Sequence, residues 1–256
     1  TNYSYLTGVG KSFIKHFKDY VPWIENKCKL SKGDKILDVG SNDGTCLKFF
    51  KKNNYKVVGI DPAKMPATKA NKSKIKTYNI FFNDRGSEIL LKKEGKFDFI
   101  TSHNVFAHIS DLRSVFKNIF KLLSDGGHLC FEVGYFLKVV QNNLFDTIYH
   151  EHLDYHHAAP LVKLLRSQGF SIISLTENEV QGGSLRVLCR KHNLKKISYS
   201  ANLFLEKESK FFKKNKIEIK KLKNTIENSM KKFEEIIKKY YMKKYVISAY
   251  GAPTKA

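Results

Sequence analysis

The chain has 256 residues, 42% of them hydrophobic, and a formal net charge of +22. That length and apolar fraction allow a full core and exclude a disordered polymer. No apolar run approaches the ~20 residues that a membrane-spanning helix needs. The charge rests on lysine: of 46 basic residues only Arg85, Arg113, Arg166, Arg186 and Arg190 are arginines. Nucleic-acid readers lean on arginine forks, so nucleic acid is a disfavoured partner. Between Lys195 and Ala256 stand 17 Lys against 6 Glu, so half of the net charge lies at that end, where it could attract an anionic substrate such as a nucleoside diphosphate. Cys28, Cys46, Cys130 and Cys189 are scattered without a CxxC pair, which disfavours a zinc site and fits a reduced, cytoplasmic setting.

Thr1–Gly10 is aromatic and polar, with Tyr3 and Tyr5, and Lys11–Asn26 reads as a helix with Phe13, Phe17, Tyr20 and Val21 near one face. After the turn Leu30–Asp34 comes the strand Lys35–Val39, which stops at Gly40-Ser41-Asn42-Asp43-Gly44 and enters a helix at Thr45–Lys52. Gly40 and Gly44 supply backbone freedom where the chain turns or a ligand approaches. Asp38 and Asp43 make this turn acidic, which suits a cationic, hydroxyl-bearing ligand rather than phosphate. Asn42 stands where the dinucleotide fingerprint needs glycine, and no Lys-Ser/Thr pair marks a P-loop. The second strand, Lys56–Ile60, ends at Asp61, where doubly wound sheets present an acid to ribose hydroxyls.

A helix follows through Met65–Ala70, then a third strand region at Ile75–Phe82 and a fourth strand at Phe97–Ser102, running into His103–His108. Leu112, Val115, Phe116, Ile119, Phe120 and Leu123 form one helical face, and Ser124–Gly127 turns into a fifth strand at His128–Val133. This alternation predicts parallel βαβ units and a three-layer α/β sandwich, with ligands at the carboxyl ends of the strands, where Gly40, Asp61, Asn104 and Glu132 fall. Tyr135–Ala159 is a histidine-rich insertion, followed by a helix at Pro160–Gln168 and two strands, Phe170–Leu175 and Gly182–Cys189, expected to pair antiparallel. Residues 203–243 carry a single apolar stripe on a lysine-coated rod, one long helix or two in line, which packs on the domain or joins a homodimer. Val246–Tyr250 looks like the first strand of another α/β unit.

The insertion carries four of the nine histidines between His150 and His157. His150 has Asp154 four positions on, so the zincin pattern fails; His152 and His156 keep helical spacing without an evident third ligand. The alternatives are a polar loop over the sheet or a general base with helpers. Histidine titrates near neutrality, Glu151 could support His152, and Tyr149 could donate to a developing oxyanion.

The glycine turn and Asp61 together resemble the S-adenosylmethionine site of class I methyltransferases. Tyr3-Ser4-Tyr5-Leu6-Thr7, Asp38–Gly44, His103–His108, Tyr149-His150-Glu151-His152, Gly182-Gly183-Ser184 and Gly251-Ala252-Pro253-Thr254-Lys255 extend the similarity to the nucleotide-sugar C-methyltransferases of deoxysugar biosynthesis. The resemblance implies a class I sandwich, mostly parallel with an antiparallel last strand, at 31–198, between an N-terminal segment and helix (1–30) and a linker helix that begins a truncated second α/β domain (199–256). It also implies a fragment, since that family carries an N-terminal zinc-binding segment and a complete C-terminal domain. It implies S-adenosyl-L-methionine held by Asp38, Gly40, Asn42 and Gly44 at the methionine end, Asp61 at the ribose, and Asn104 beside them. The implied substrate is a nucleoside-diphosphate-linked 4-keto-deoxysugar. His152 is the expected base, Glu151 its support, and Tyr149 or Tyr5 the enolate donor. Small-molecule O- or N-methylation, RNA methylation and a non-enzymatic binding role are the rival expectations.

Overall fold

The computed structural model describes residues 6–192, 194–214 and 216–248. Strands β1 (Lys35–Val39), β2 (Lys56–Ile60), β3 (Thr77–Tyr78), β4 (Phe97–His103), β5 (Leu123–Gly134), β6 (Phe170–Asn178) and β7 (Ser184–Lys191) form one sheet in the order β3-β2-β1-β4-β5-β7-β6. Only β7 runs against its neighbours β5 and β6. The central strands read as continuous apolar runs because helices cover both of their faces; Phe97, Phe99 and Ile100 of β4 are wholly buried.

Helix α1 (Lys11–Cys28) and α2 (Thr45–Lys52) pack on one face, where Phe17, Tyr20, Ile24 and Phe50 meet Ile36, Phe99, Cys130 and Leu188. Helix α3 (Lys64–Lys72) adds Ala70 to the same layer. The opposite layer holds α4 (Asp84–Glu94), α5 (Leu112–Leu122) and α7 (Ala158–Ser167). Helix α5 starts where the Asp111 carboxylate accepts from the Ser114 amide, a side-chain N-cap, and buries Leu112, Val115, Phe116, Ile119 and Leu122. Parallel pairing of β1 with both β2 and β4 brings their ends side by side, the place where ligands bind in such sheets.

Several elements differ from the sequence expectation. Strand β3 keeps only Thr77 and Tyr78, since Asn83 then caps α4, a helix that the apolar spacing did not reveal. Strand β5 begins at Leu123, pairing with Phe97 across a bulge near the left-handed Gly126, so the expected turn at Ser124–Gly127 is part of the strand. The insertion contains a helix, α6 (Phe136–Asn142). The lysine-rich rod starts earlier than residue 203 and takes the second of the two forms the sequence allows, two helices, α8 (Tyr199–Lys214) and α9 (Lys216–Met242). Helix α8 rests on the sheet and buries Ala201 and Glu208. Residues 246–248 are in no strand, and Tyr3, Tyr5 and residues 249–256 lie outside the described residues.

Candidate active site

The turn after β1 is built from left-handed backbone: Gly40 and Gly44 each have φ of 74° and Asn42 has 49°. Gly40 cannot carry a side chain, because a Cβ there would collide with Val105 in the loop after β4. Asp61, at the tip of β2, accepts from the Asn42 amide through Oδ2 and from the Ala63 amide through Oδ1, both at 2.8 Å. It therefore fixes the turn while each carboxylate oxygen keeps a second lone pair for a ligand hydroxyl. Burial raises the pKa of Asp61 above the usual carboxylate value, against those two amide bonds. Asp38 is 3% exposed, and its pKa is pushed well up by burial and then by the charge of Asp61.

Among the described residues, three buried oxygens around this turn find no hydrogen-bond partner: Asp38 Oδ1, Ser41 Oγ and Asn104 Oδ1. Buried polar atoms are normally satisfied, so such a group beside a glycine turn fits a ligand that brings its own donors. An ammonium and ribose hydroxyls, as S-adenosyl-L-methionine carries, match that set. The residues that the sequence assigned to the cofactor, Asp38, Gly40, Asn42, Gly44, Asp61 and Asn104, thus converge on the adjoining tips of β1, β2 and β4. The segment before α1 covers the same turn. The Thr7 amide donates to Asn42 Oδ1 at 2.9 Å and the Gly8 amide to Asp43 Oδ2 at 3.3 Å, while Asp43 also accepts from the Thr45 hydroxyl and pairs with Lys69. The sequence marked this segment as aromatic and polar; its docking on the turn had no local signal.

The histidine-rich flap meets the loop over Gly40. The Leu153 amide donates to the Ala107 carbonyl at 2.8 Å, and His108 Nδ1 donates to the Glu151 carbonyl at 2.8 Å. The rings of His108 and His152 lie 4.9 Å apart. His152 Nδ1 donates to the Thr147 carbonyl at 2.9 Å, which can only accept. In the neutral imidazole that leaves Nε2 as a lone-pair nitrogen, and Tyr149 O–H lies on it at 3.1 Å. Burial, followed by the charge of Glu151, raises the pKa of Tyr149, so the phenol keeps its proton. The Glu151 carboxylate is on an exposed residue. Tyr5 is outside the described residues. His108 lay within a quoted motif but had no assigned role; its part becomes visible only when the flap folds back onto the loop after β4.

Glu132 stands elsewhere than the ligand-facing position expected of it. It is 1% exposed and turned to the α1 face, where Oε2 accepts from His16 Nε2 at 2.7 Å and His103 Nδ1 at 3.0 Å. Its Oε1 accepts from Arg186 Nε at 2.6 Å and Asn178 at 3.0 Å. Burial would raise its pKa, but the hydrogen bonds from His103 and His16 and the nearby Arg186 outweigh burial and hold it well below the carboxylate range. His103 is kept neutral-leaning by burial, against Glu132. Although His16, His103 and Glu132 offer ligand atoms within 4.8 Å of one another, the Arg186 guanidinium already supplies the positive charge a metal would bring. The cluster ties α1 to β4, β5 and β7.

Residues 14–175 match the family model described as methyltransferase domain. Over 186 residues the chain is 32% identical to the C-methyltransferase NovU of Streptomyces niveus, covering 73% of this chain and 44% of that protein. It is 27% identical over 165 residues to a ubiquinone biosynthesis O-methyltransferase of Coxiella burnetii, covering 60% of this chain and 70% of the relative. The chain therefore spans less than half the length of NovU. Among solved structures, magnesium protoporphyrin IX methyltransferase from Synechocystis with bound SAH superposes with a TM-score of 0.55 at 14% identity, covering 70% of this chain and 83% of that one.

Proposed function

The chain belongs to the methyltransferase-domain family, and we propose that it is an S-adenosyl-L-methionine-dependent methyltransferase that methylates carbon in a nucleoside-diphosphate-linked 4-keto-deoxysugar. The observation that supports this reading is the state of His152. Its Nδ1 proton is committed to a backbone carbonyl, its Nε2 is a base, and a protonated phenol lies beside it.

In this reading the cofactor, when bound, supplies an electrophilic methyl on a sulfonium centre. Asp38, Gly40, Asn42 and Gly44 would hold its methionine end, Asp61 its ribose, and Asn104 would add a side-chain acceptor. The sugar ketone acidifies the neighbouring C–H. His152 takes that proton at Nε2, with the Thr147 carbonyl holding the ring through Nδ1–H. Tyr149 donates its hydroxyl to the enolate oxygen, with Tyr5 as a second donor, and Glu151 stabilises the imidazolium by its charge. His108, hydrogen-bonded to the Glu151 carbonyl, keeps the flap registered against the loop over Gly40. Positioning of the carbon and the methyl is then the main contribution of the turn. The working protein is a cytoplasmic monomer or homodimer in this proposal.

The second reading is O-methylation of a small molecule, which the similarity to ubiquinone O-methyltransferases favours. It uses the same cofactor half and needs no C–H acid. Incubation with methyl-labelled S-adenosyl-L-methionine and a panel of nucleotide-linked keto sugars, read by mass spectrometry and NMR, separates the two. A new C–CH3 group, together with solvent deuterium entering the carbon beside the ketone, is the expected result. An O–CH3 product overturns the carbon assignment, whereas a C–CH3 product without deuterium entry shows that methyl transfer outruns return of the proton.

A further inference from the structure

Beyond β5, the sheet face that carries α1 is only partly covered. A groove of about 500 Å³ opens there, between the end of α1 and the starts of β5 and β6. In this region His128 pairs with Arg190, and Arg190 with Ser171. Glu132, toward the ligand-binding ends of the strands, is paired with Arg186, so the groove lies at the other end of the sheet from the glycine turn.

Four permanent cations line the groove, Lys27, Lys29, Arg190 and Lys196, together with His128 and His192, and no carboxylate does. Among the described residues none of the four cations is in an ion pair. Arg190 is oriented by one bond, Nε to the Gly126 carbonyl at 2.9 Å, which leaves both Nη groups for an outside acceptor. Burial and then the charge of Arg190 push His128 down to about 4, so at neutral pH it adds a neutral polar group rather than a fifth charge. Cations gathered without counter-charges repel one another, and an oxyanion with several charges relieves that repulsion. The guanidinium fork matches phosphate geometry, and the volume lies within the range of small-molecule pockets, roughly 300–1,000 Å³. No Phe, Tyr or Trp lines the groove, so it lacks the stacking platforms of a single-stranded nucleic-acid channel.

We propose that this groove binds a small molecule through a pyrophosphate group, at a site separate from the candidate active site. Inorganic pyrophosphate and ADP share the recognised group; tighter binding of ADP at the same site would mean that Ile173 and Cys28 also receive a nucleoside. Isothermal titration of the chain with each, in about 0.15 M NaCl to screen the general positive surface, tests the proposal. A single saturable site is expected. Arg190→Gln and Lys196→Gln should each weaken it by about tenfold, as loss of a charge-assisted contact does. Lys231→Gln with Lys232→Gln on α9 removes at least as much charge and should leave it within about twofold, and affinity for S-adenosyl-L-methionine should be unchanged throughout. Should Arg190→Gln fail to fold by circular dichroism, Lys196→Gln decides. Absence of a saturable site, equal losses in the α9 variant, or tight binding of a 12-nucleotide RNA that pyrophosphate does not displace would overturn it.

Discussion

A carboxylate buried beside another carboxylate is an expensive arrangement, and Asp38 is the clearest case in this molecule. Its oxygen Oδ1 finds no partner among the described residues, and burial together with Asp61 raises its pKa. A carboxyl whose folded pKa lies above its unfolded value stabilises the fold at low pH and loses that contribution as pH rises through the folded pKa. Above the ordinary carboxylate range Asp38 therefore opposes folding, by ionising in a buried site or by holding a proton that the unfolded chain has lost, and Asp38→Asn should relieve it. A gain of about 1 kcal/mol would raise Tm by ~2–4 °C in a chain of this size. Calorimetry should show that rise without ligand, and the variant should bind S-adenosyl-L-methionine more weakly. A lower Tm would mean that Asp38 is structural. His152 gives the complementary case. His152→Ala removes an imidazole on the half-exposed flap, so cofactor affinity and Tm should stay near wild type. Single-turnover methyl transfer should fall by roughly 10²–10⁴-fold, the range for a general base. Unchanged turnover would remove His152 from the mechanism.

Among the elements, α1 owes its place to more than apolar packing. Its His16 and Tyr20 reach a polar cluster on β4, β5 and β7, where Tyr20 O–H lies 2.7 Å from Thr101 Oγ1, and the Arg186 guanidinium sits 4.7 Å from the centre of the Trp23 ring. Glu132 is the hub. Both shifted groups there make the fold acid-sensitive. His103, held below its usual 6.5, favours the neutral form when folded, so its contribution fades as pH falls below about that value. Glu132, held below 4.5, contributes above that value, and its share is lost as pH falls through the lower folded pKa. Glu132→Gln leaves Arg186 without its counter-charge, and breaking a buried pair this way costs about 3–5 kcal/mol. Urea titrations at several pH values should show that loss at pH 7 and a flatter decline in acid than wild type. An equal slope in both proteins would place the acid-sensitive groups elsewhere.

On the scale of the whole molecule, the sheet and its ligand end were legible in the sequence because they follow from short-range patterns. The apolar runs of β1, β2 and β4 show parallel βαβ units, and the glycines at 40 and 44 mark the turn after β1, whereas the order β3-β2-β1-β4-β5-β7-β6 comes from the structure alone. What was illegible depends on distant contacts: the Thr7–Asn42 bond, the flap laid on Ala107 and His108, and the turn of Glu132 toward α1 join residues 35, 43 and 116 positions apart or more. The apolar spacing does not reveal helix α4 because its apolar face is short, and it leaves the rod open as one long helix or two in line because the stripe keeps one period from α8 into α9. These are two unlike helices. In α8, Glu208 is 3% exposed and accepts from Tyr135 O–H at 2.8 Å, from His157 Nδ1 at 3.2 Å and from the Ala158 and Ala159 amides at 2.7 and 2.9 Å. One carboxylate thereby caps α7 and holds both ends of the insertion that carries the flap. In α9, by contrast, Met230, Phe233, Ile236 and Tyr240 are exposed, and among the residues whose side chains are described only Leu222, Ile226 and Ile237 are even half-buried. A chain ending after Lys214 should therefore keep its Tm within a few degrees and keep cofactor affinity. A chain ending after Ser198 should lose the α7 cap and the flap anchor together, and melt well below wild type. Glu208→Gln in the full chain should reproduce part of that loss, because a neutral amide accepts the Ala158 and Ala159 amides less strongly than a carboxylate does. Equal melting of the two truncated chains would show that α8 is a passive passenger on the sheet.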